Sequence, residues 1–307
     1  MAAVAELSII IVNFNARAYL RDCLSSIREN IHRTSYETFV VDNGSEDGSC
    51  EMVRAEYPWV RLIENRANVG FSRANNQAIR ESSGRFVLLL NNDTLVLPGS
   101  IDTLVDVMRE RPDVGVVGCT LRNSDMSVQI SFGQMISIKS ELVLKLISDR
   151  YKRGNRLVQS YLERRSRKEH TPDWVSGACL LARAEALRAV NFMDENFFMY
   201  TEEVDLCHRI RQLGFKVLYT PRAEIIHFGG RSTETNLKKT IIEYRRSQLY
   251  FYKKHYGATR MRIVKLYLLA KILFTELRLR MGLRKSSNRE GDISLLGELR
   301  HVVWSYR

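Results

Sequence analysis

The chain has 307 residues, 45% of them apolar and only 5 of them proline, a composition that supports a sizeable core and excludes an intrinsically disordered protein. Its formal charge of +12 is concentrated in two places: residues 145–169 carry nine Lys/Arg against three acids, and residues 257–290 carry nine against two, so the remainder is close to neutral. This distribution argues against a nucleic-acid-binding protein, whose basic residues cover a groove-facing surface with aromatics interleaved. Cys23, Cys50, Cys119, Cys179 and Cys207 are odd in number and lack C-x-x-C spacing, which points to neither a disulfide framework nor a zinc cluster and fits a reducing cytosol. The run from Leu7 to Val12 is too short for a signal-type core, and no stretch has the length to cross a bilayer.

In chain order, the β-branched run Leu7 to Asn13 reads as a strand. A helical pattern follows through Tyr19, Leu20, Cys23, Leu24 and Ile27, and then a buried strand ending at Asp42. Strand, helix and strand make a parallel α/β unit, and ligands in such sheets bind at the carboxyl ends of strands. Asp42 stands at such an end, with capping of the next helix as its ordinary alternative role. A short strand over Val60 to Ile63 leads through Asn68-Val69-Gly70-Phe71 into a helix reaching about Ser82. Phe86 to Leu90 is then a central strand that delivers Asn91-Asn92-Asp93 to the same edge as Asp42. A helix from Pro98 to about Arg109 and a strand over Val114 to Thr120 continue the pattern.

Between about Asn123 and Thr171 the periodicity weakens into a basic surface insertion in which Lys139 to Leu146 has helical potential. Order resumes with a strand over Trp174 to Arg183 and a short helix to Val190. Phe197-Phe198-Met199-Tyr200 is too apolar to face water. A helix opening on Thr201-Glu202-Glu203 follows, its apolar positions Val204, Leu206, Ile210 and Leu213 at helical spacing. Two further strands cover Phe215 to Tyr219 and a segment ending at His227, before a loop containing Gly229, Gly230 and Ser232. The expected fold is α/β, with a mainly parallel central sheet flanked by helices and a helical C-terminal extension. Residues 1–256 form the catalytic domain and 257–307 a basic amphipathic tail. In that tail Ile263, Leu266, Tyr267, Ala270, Leu273, Phe274, Leu277 and Met281 share one face, edged by Arg and Lys.

The chemistry-bearing residues are Asp42 and Asp93 at strand ends, Glu202, Glu203 and Asp205 in the first turn of a helix, and His227. Free N–H groups and the dipole favour anions in a first turn, and Asp205 with Arg209 is also an ordinary i,i+4 pair. Asp93 and His227 together offer oxygen and nitrogen donors to Mg²⁺ or Mn²⁺, which neutralise a diphosphate. There is no Walker-type loop. Asn13-Phe14-Asn15-Ala16-Arg17 stands where a dinucleotide-binding strand would lead into G-x-G-x-x-G, and no G-x-S-x-G elbow is present.

Seven segments in order, Ile9 to Asn15, Val40 to Ser45, Asn68 to Phe71, Leu89 to Asp93, Val175 to Ala178, Glu202 to Leu206, and His227, resemble family 2 of the inverting glycosyltransferases, most of all its rhamnosyltransferase-like members. The resemblance spans residues 7 to about 256. It implies a GT-A fold, a nucleotide-sugar donor and a divalent metal. By position, Asp42 binds the nucleotide base with Asn13 and Asn15 lining its pocket, and Gly70 and Asn92 belong to the same donor site. Asn91-Asn92-Asp93 is similar to the family's D-x-D motif, with Asp93 as the retained metal ligand and Asn91 in place of the first aspartate. Glu203 occupies the position of the catalytic base, where the family has Asp, with Glu202 and Asp205 as alternatives on the same turn. The function so implied is inverting transfer of a sugar, rhamnose from dTDP-rhamnose, to a glycan or lipid-linked acceptor in cell-surface polysaccharide synthesis. The expected location is cytoplasmic, at the inner face of the membrane, with the tail on anionic lipid; self-association is a further expectation. The competing functions are a nucleotidyltransferase and a non-catalytic membrane-bound scaffold on a decayed fold. The first lacks its phosphate loop, and the intact acids at 93, 202, 203 and 205 argue against the second.

Overall fold

A computed structural model describes residues 5–229, 237–283 and 288–306, so Gly230 and Ser232 of the expected loop lie outside the described residues. The chain divides into two compact units, Met1–Asn196 with Glu202–Ser232, and Phe197–Thr201 with Thr233–Arg307.

The first unit opens with β1 (Leu7–Asn13), α1 (Arg17–Asn30), β2 (Tyr36–Asp42), α2 (Ser49–Glu56), β3 (Val60–Glu64), α3 (Phe71–Glu81) and β4 (Phe86–Leu90). Strands β3, β2, β1 and β4 lie side by side, all parallel, with Asn13 opposite Asp42. Successive residues of a strand face opposite sides of a sheet. Leu7, Ile9, Ile11, Leu88 and Leu90 accordingly pack on one side with α1, α2 and α4 (Ser100–Glu110), while Ile10, Phe39, Val41, Val87 and Leu89 pack on the other with α3, α7 (Ala184–Ala189) and α8 (Glu202–Gln212).

Beyond β4 the sheet is mixed. Strand β10 (Cys179–Arg183) runs antiparallel between β4 and β6 (Val114–Arg122). Next come β11 (Lys216–His227), parallel to β6, and β5 (Thr94–Val96), antiparallel to β11. The sequence reading of one strand over Trp174 to Arg183 is refined here: β9 (Trp174–Val175) pairs with β8 (Phe132–Gly133), and a turn at Ser176 to Ala178 separates it from β10. The two strands expected between Phe215 and His227 are one, with a register shift between Thr220 and Glu224 beside Pro221. The basic insertion is structured as β7 (Val128–Gln129), β8, α5 (Ile138–Lys152) and α6 (Arg156–Ser166). A Cβ on Gly115 of β6 would lie 2.6 Å from Ile210 of α8, so the missing side chain lets α8 sit directly on the sheet.

In the second unit, α9 (Leu237–Arg280) is broken at Gly257, whose φ of 81° suits glycine. Phe197 and Tyr200 pack on Tyr250 and Tyr244 of its first half, and Ser247 Oγ donates to Met199 O, which is where the aromatic run escapes water. The second half buries Met261, Val264, Leu268, Ile272 and Leu279, and packs against α10 (Arg289–Ser305), where Leu299 and Val303 are buried. Among the described residues no helix is long and apolar enough to cross a membrane.

Candidate active site

Parallel pairing brings the carboxyl ends of β1, β2 and β4 to one edge, and three groups of polar residues meet there. The first surrounds Asp42, which is buried. Its Oδ2 accepts from Asn13 Nδ2 at 2.9 Å, and its Oδ1 accepts from the backbone N–H groups of Gly44 and Ser45 at 3.1 and 2.7 Å. Much of its acceptor capacity therefore shapes its own loop. Asn13 Oδ1 in turn accepts from Asn92 Nδ2 at 2.8 Å, tying the β1 end to the Asn91–Asp93 loop. Asn15, at φ 48°, donates its N–H to Ser45 Oγ and accepts from Glu46 N–H. Gly70 caps α3 at φ 90°; its N–H donates to Asn68 Oδ1 and its carbonyl accepts from Asn43 Nδ2. The structure thus brings Asn13, Asn15, Asp42 and Asn92 into one network, with Gly70 joined to it through Asn43.

The second group is the pair Asp93 and His227. Strand register accounts for it: His227 of β11 stands opposite Thr94 of β5, so the residue before Thr94 meets the imidazole. His227 Nε2 lies 3.2 Å from Asp93 Oδ1 and 3.3 Å from Asn91 Nδ2. The other ring nitrogen is held by a residue that the sequence reading missed. Asp125 accepts from the Ser127 hydroxyl at 2.5 Å, Ser127 Oγ accepts from Asn123 Nδ2 at 2.9 Å, and Asn123 Oδ1 accepts from Gln129 Nε2 at 2.9 Å. Each acceptor fixes the orientation of the next group, so Gln129 presents Oε1 to His227 Nδ1 at 2.6 Å. His227 therefore donates from Nδ1 and turns Nε2 toward Asp93. No sequence motif marks Gln129; only the β6–β7 hairpin brings it to His227.

The third group is the start of α8. Tyr200 and Thr201, just before it, have φ of 70° and 64°, a conformation that costs about 1–3 kcal/mol per residue and concentrates at functional sites. Glu202 is buried and its Oε2 has no hydrogen-bond partner; burial, followed by the charge of Glu203, raises its pKa well above the carboxylate range. Glu203 is partly buried, and burial pushes its pKa up to about 7 against the opposing pull of backbone N–H groups. Its Cβ lies 3.5 Å from where a side chain on Gly177 would begin, so the Ser176–Ala178 turn is closed around it. The same turn accepts from Asn91 N–H through the Ala178 carbonyl at 3.0 Å, which links the start of α8 to the loop of Asp93. Asp205 is fully buried, 2.7 Å from Arg209 Nε, and Arg209 Nη1 donates to the carbonyls of Val190 and Phe192. The structure thus places Asp205 in a clamp on the Val190–Phe192 loop.

Among the described residues no cluster of three or more His, Cys, Asp or Glu side chains could hold a metal ion. Asp93 and His227 are a two-donor set, one carboxylate oxygen and one imidazole nitrogen facing each other. That set fits a hard divalent cation whose remaining ligands are phosphate oxygens and water.

The glycosyl transferase family 2 model matches residues 8–189, more than half of the chain. The chain belongs to this family. It is 30% identical over 296 residues, 92% of its own length and 96% of the relative's, to the N-acetylglucosaminyl-diphospho-decaprenol L-rhamnosyltransferase of Mycobacterium tuberculosis. It is also 22% identical to the rhamnosyltransferase WbbL of Escherichia coli, over 75% of this chain and 86% of that one. Among solved structures, the mannosyltransferase PcManGT of Pyrobaculum calidifontis, in complex with GDP-Man and Mn²⁺, superposes with a TM-score of 0.55 at 15% identity, covering 99% of this chain and 87% of that one, which shows a shared GT-A-type fold. The protein is thus a family 2 glycosyltransferase, and the nucleotidyltransferase alternative falls away.

Proposed function

We propose that this transferase moves rhamnose from dTDP-rhamnose, with inversion, onto a lipid-diphosphate-linked glycan acceptor of cell-surface polysaccharide synthesis. The near-full-length similarity to the mycobacterial rhamnosyltransferase supports the donor sugar and the acceptor class. The observation that carries the mechanism is the meeting, at one sheet edge, of the Asp93–His227 pair with the loops of Asp42 and Glu203. Asp42, Asn13 and Asn15 line the pocket for the base, and Gly70 and Asn92 complete the donor site. Asp93 and His227 would hold Mg²⁺ or Mn²⁺, which supplies charge neutralisation for the departing nucleoside diphosphate. Glu203 takes the proton from the acceptor hydroxyl as that oxygen bonds to the anomeric carbon and the bond to diphosphate breaks. The surroundings single out Glu203 on this turn: burial and the neighbouring charge of Glu203 disfavour ionisation of Glu202, Asp205 is committed to Arg209, and burial raises Glu203 to about 7.

The enzyme works at the inner face of the cytoplasmic membrane, bound peripherally through the second half of α9. The face opposite the packed one exposes Ile263, Leu266, Leu273, Phe274, Leu277 and Met281, with Leu266 and Phe274 at 65% and 61% exposure. Arg and Lys side chains flank this face and suit anionic headgroups. Transfer assays with dTDP-rhamnose, UDP-glucose, UDP-N-acetylglucosamine and GDP-mannose test the donor: turnover should be confined to dTDP-rhamnose, and preferred use of a UDP or GDP sugar refutes it. Replacing Leu266, Phe274 and Leu277 by Glu in the full chain should weaken flotation with anionic vesicles while leaving transfer to a water-soluble acceptor intact; undiminished flotation refutes the α9 anchor.

A further inference from the structure

Helix α5 is anomalous for a globular protein. It is 15 residues long, none of its described residues is buried, and Leu142, Val143, Leu144 and Leu146 are exposed side by side with polar neighbours. Its partner α6 adds Leu157, at 82% exposure, and Tyr161 one turn later. Isolated exposed apolar residues need no explanation, but six on one helical hairpin mark an interaction surface. Residues 138–168, which hold both helices, carry ten Lys/Arg against three acids, a net +7. The adjacent face of α6 borders a groove of about 520 Å³ lined by Arg156, Gln159, Ser160, Glu163, Arg164 and Arg167.

The hairpin is fastened to the catalytic edge. Tyr151 Oη donates to the Val128 carbonyl of β7 at 2.7 Å, next to Gln129, and Tyr219 Oη of β11 donates to the Ser166 carbonyl at 2.8 Å. Arg122 of β6 pairs with Glu163 at 3.5 Å. The strands that seat the hairpin are therefore the ones that carry Gln129 and His227.

We propose that the α5–α6 hairpin is a second lipid-docking element, one that seats on an anionic bilayer and holds the phosphates of its headgroups with the arginines of α6. The membrane location comes from the proposed function, and the occupant is argued from charge and side-chain chemistry. Aliphatic side chains gain nothing against nucleic acid but gain by entering the acyl boundary, and Arg binds phosphate in a bidentate manner. A second copy of the same hairpin is disfavoured because it would oppose +7 to +7.

All five cysteines are buried, so single cysteines introduced at exposed positions can be labelled selectively. In the full-length protein an environment-sensitive fluorophore is placed at Leu157→Cys and, separately, at Phe274→Cys, and each protein is titrated with vesicles of phosphatidylglycerol and phosphatidylcholine at low salt. The label at 157 should shift to the blue with a several-fold gain in intensity on anionic vesicles and not on phosphatidylcholine alone. Arg156→Glu with Arg164→Glu should lower the vesicle partition by about tenfold or more. A blue shift at 274 with none at 157 overturns the hairpin proposal and leaves the α9 reading standing. A shift at 157 alone supports the hairpin and removes α9. No shift at either position overturns both. A concentration-dependent shift at 157 without vesicles assigns the surface to self-association and also overturns the proposal.

Discussion

The Glu203→Gln substitution tests the proposed mechanism most directly, because the structure sets both its magnitude and its pH signature. Burial carries the Glu203 carboxyl from an ordinary 4.5 to about 7. A general base acts only when ionised, so the fraction competent at pH 6 is about one-tenth and at pH 8 about nine-tenths, and kcat should rise roughly tenfold across that interval before levelling. A carboxylate with an ordinary pKa would already be ionised at pH 6 and give a flat profile. The amide of Gln keeps the size of the side chain but cannot accept the proton, so kcat should fall by about 10²–10⁴-fold and the inflection near pH 7 should vanish, with donor affinity within a few-fold of the parent. Stopped-time transfer assays at saturating donor, in buffers from pH 5.5 to 8.5, measure both quantities. A flat profile between pH 6 and 8, or a Gln variant within tenfold of the parent, would refute the assignment; Glu202→Gln is then the variant to examine.

Asp93→Ala should nearly abolish transfer and weaken nucleoside diphosphate binding only when Mn²⁺ is present, as titration calorimetry with and without the ion would register; equal weakening in both conditions contradicts a role through the metal. Gln129→Leu removes the acceptor that orients His227, and losing the partner that holds a metal-binding imidazole costs about 10–100-fold in metal affinity, measurable by Mn²⁺ electron paramagnetic resonance on the protein without donor. Unchanged Mn²⁺ affinity would reduce Gln129 to a surface amide. Asp205→Ala leaves the mostly buried Arg209 guanidinium without its carboxylate, which should destabilise the fold by about 3–5 kcal/mol in urea denaturation, whereas Glu203→Gln should not. Catalytic loss in Asp205→Ala with parental stability would return Asp205 to the chemistry.

The sequence by itself determined the layers of the fold and the edge on which the site sits. Period-2 and unbroken apolar runs such as Ile9 to Val12 and Phe86 to Leu90 have one stable place, inside a sheet covered on both faces, and their ends deliver Asp42 and Asp93. Local periodicity likewise marked α8 and the apolar stripe of α9. Tertiary structure alone decided which face of α9 is packed: both faces carry apolar residues, and the fold buries Met261, Val264 and Leu268 while Leu266 and Phe274 stay exposed. It also decided the antiparallel course of β10, because a buried apolar strand reads the same in either direction. The contact between Gln129 and His227 joins residues 98 positions apart through strand pairing, and no local pattern encodes it. The proposed choice of Glu203 over its neighbours rests on the same kind of contact. Glu202, Glu203 and Asp205 are near-equivalent as sequence, and the fold separates them: it buries Glu202 with no hydrogen-bond partner for Oε2, leaves Glu203 partly buried, and folds Arg209 against Asp205.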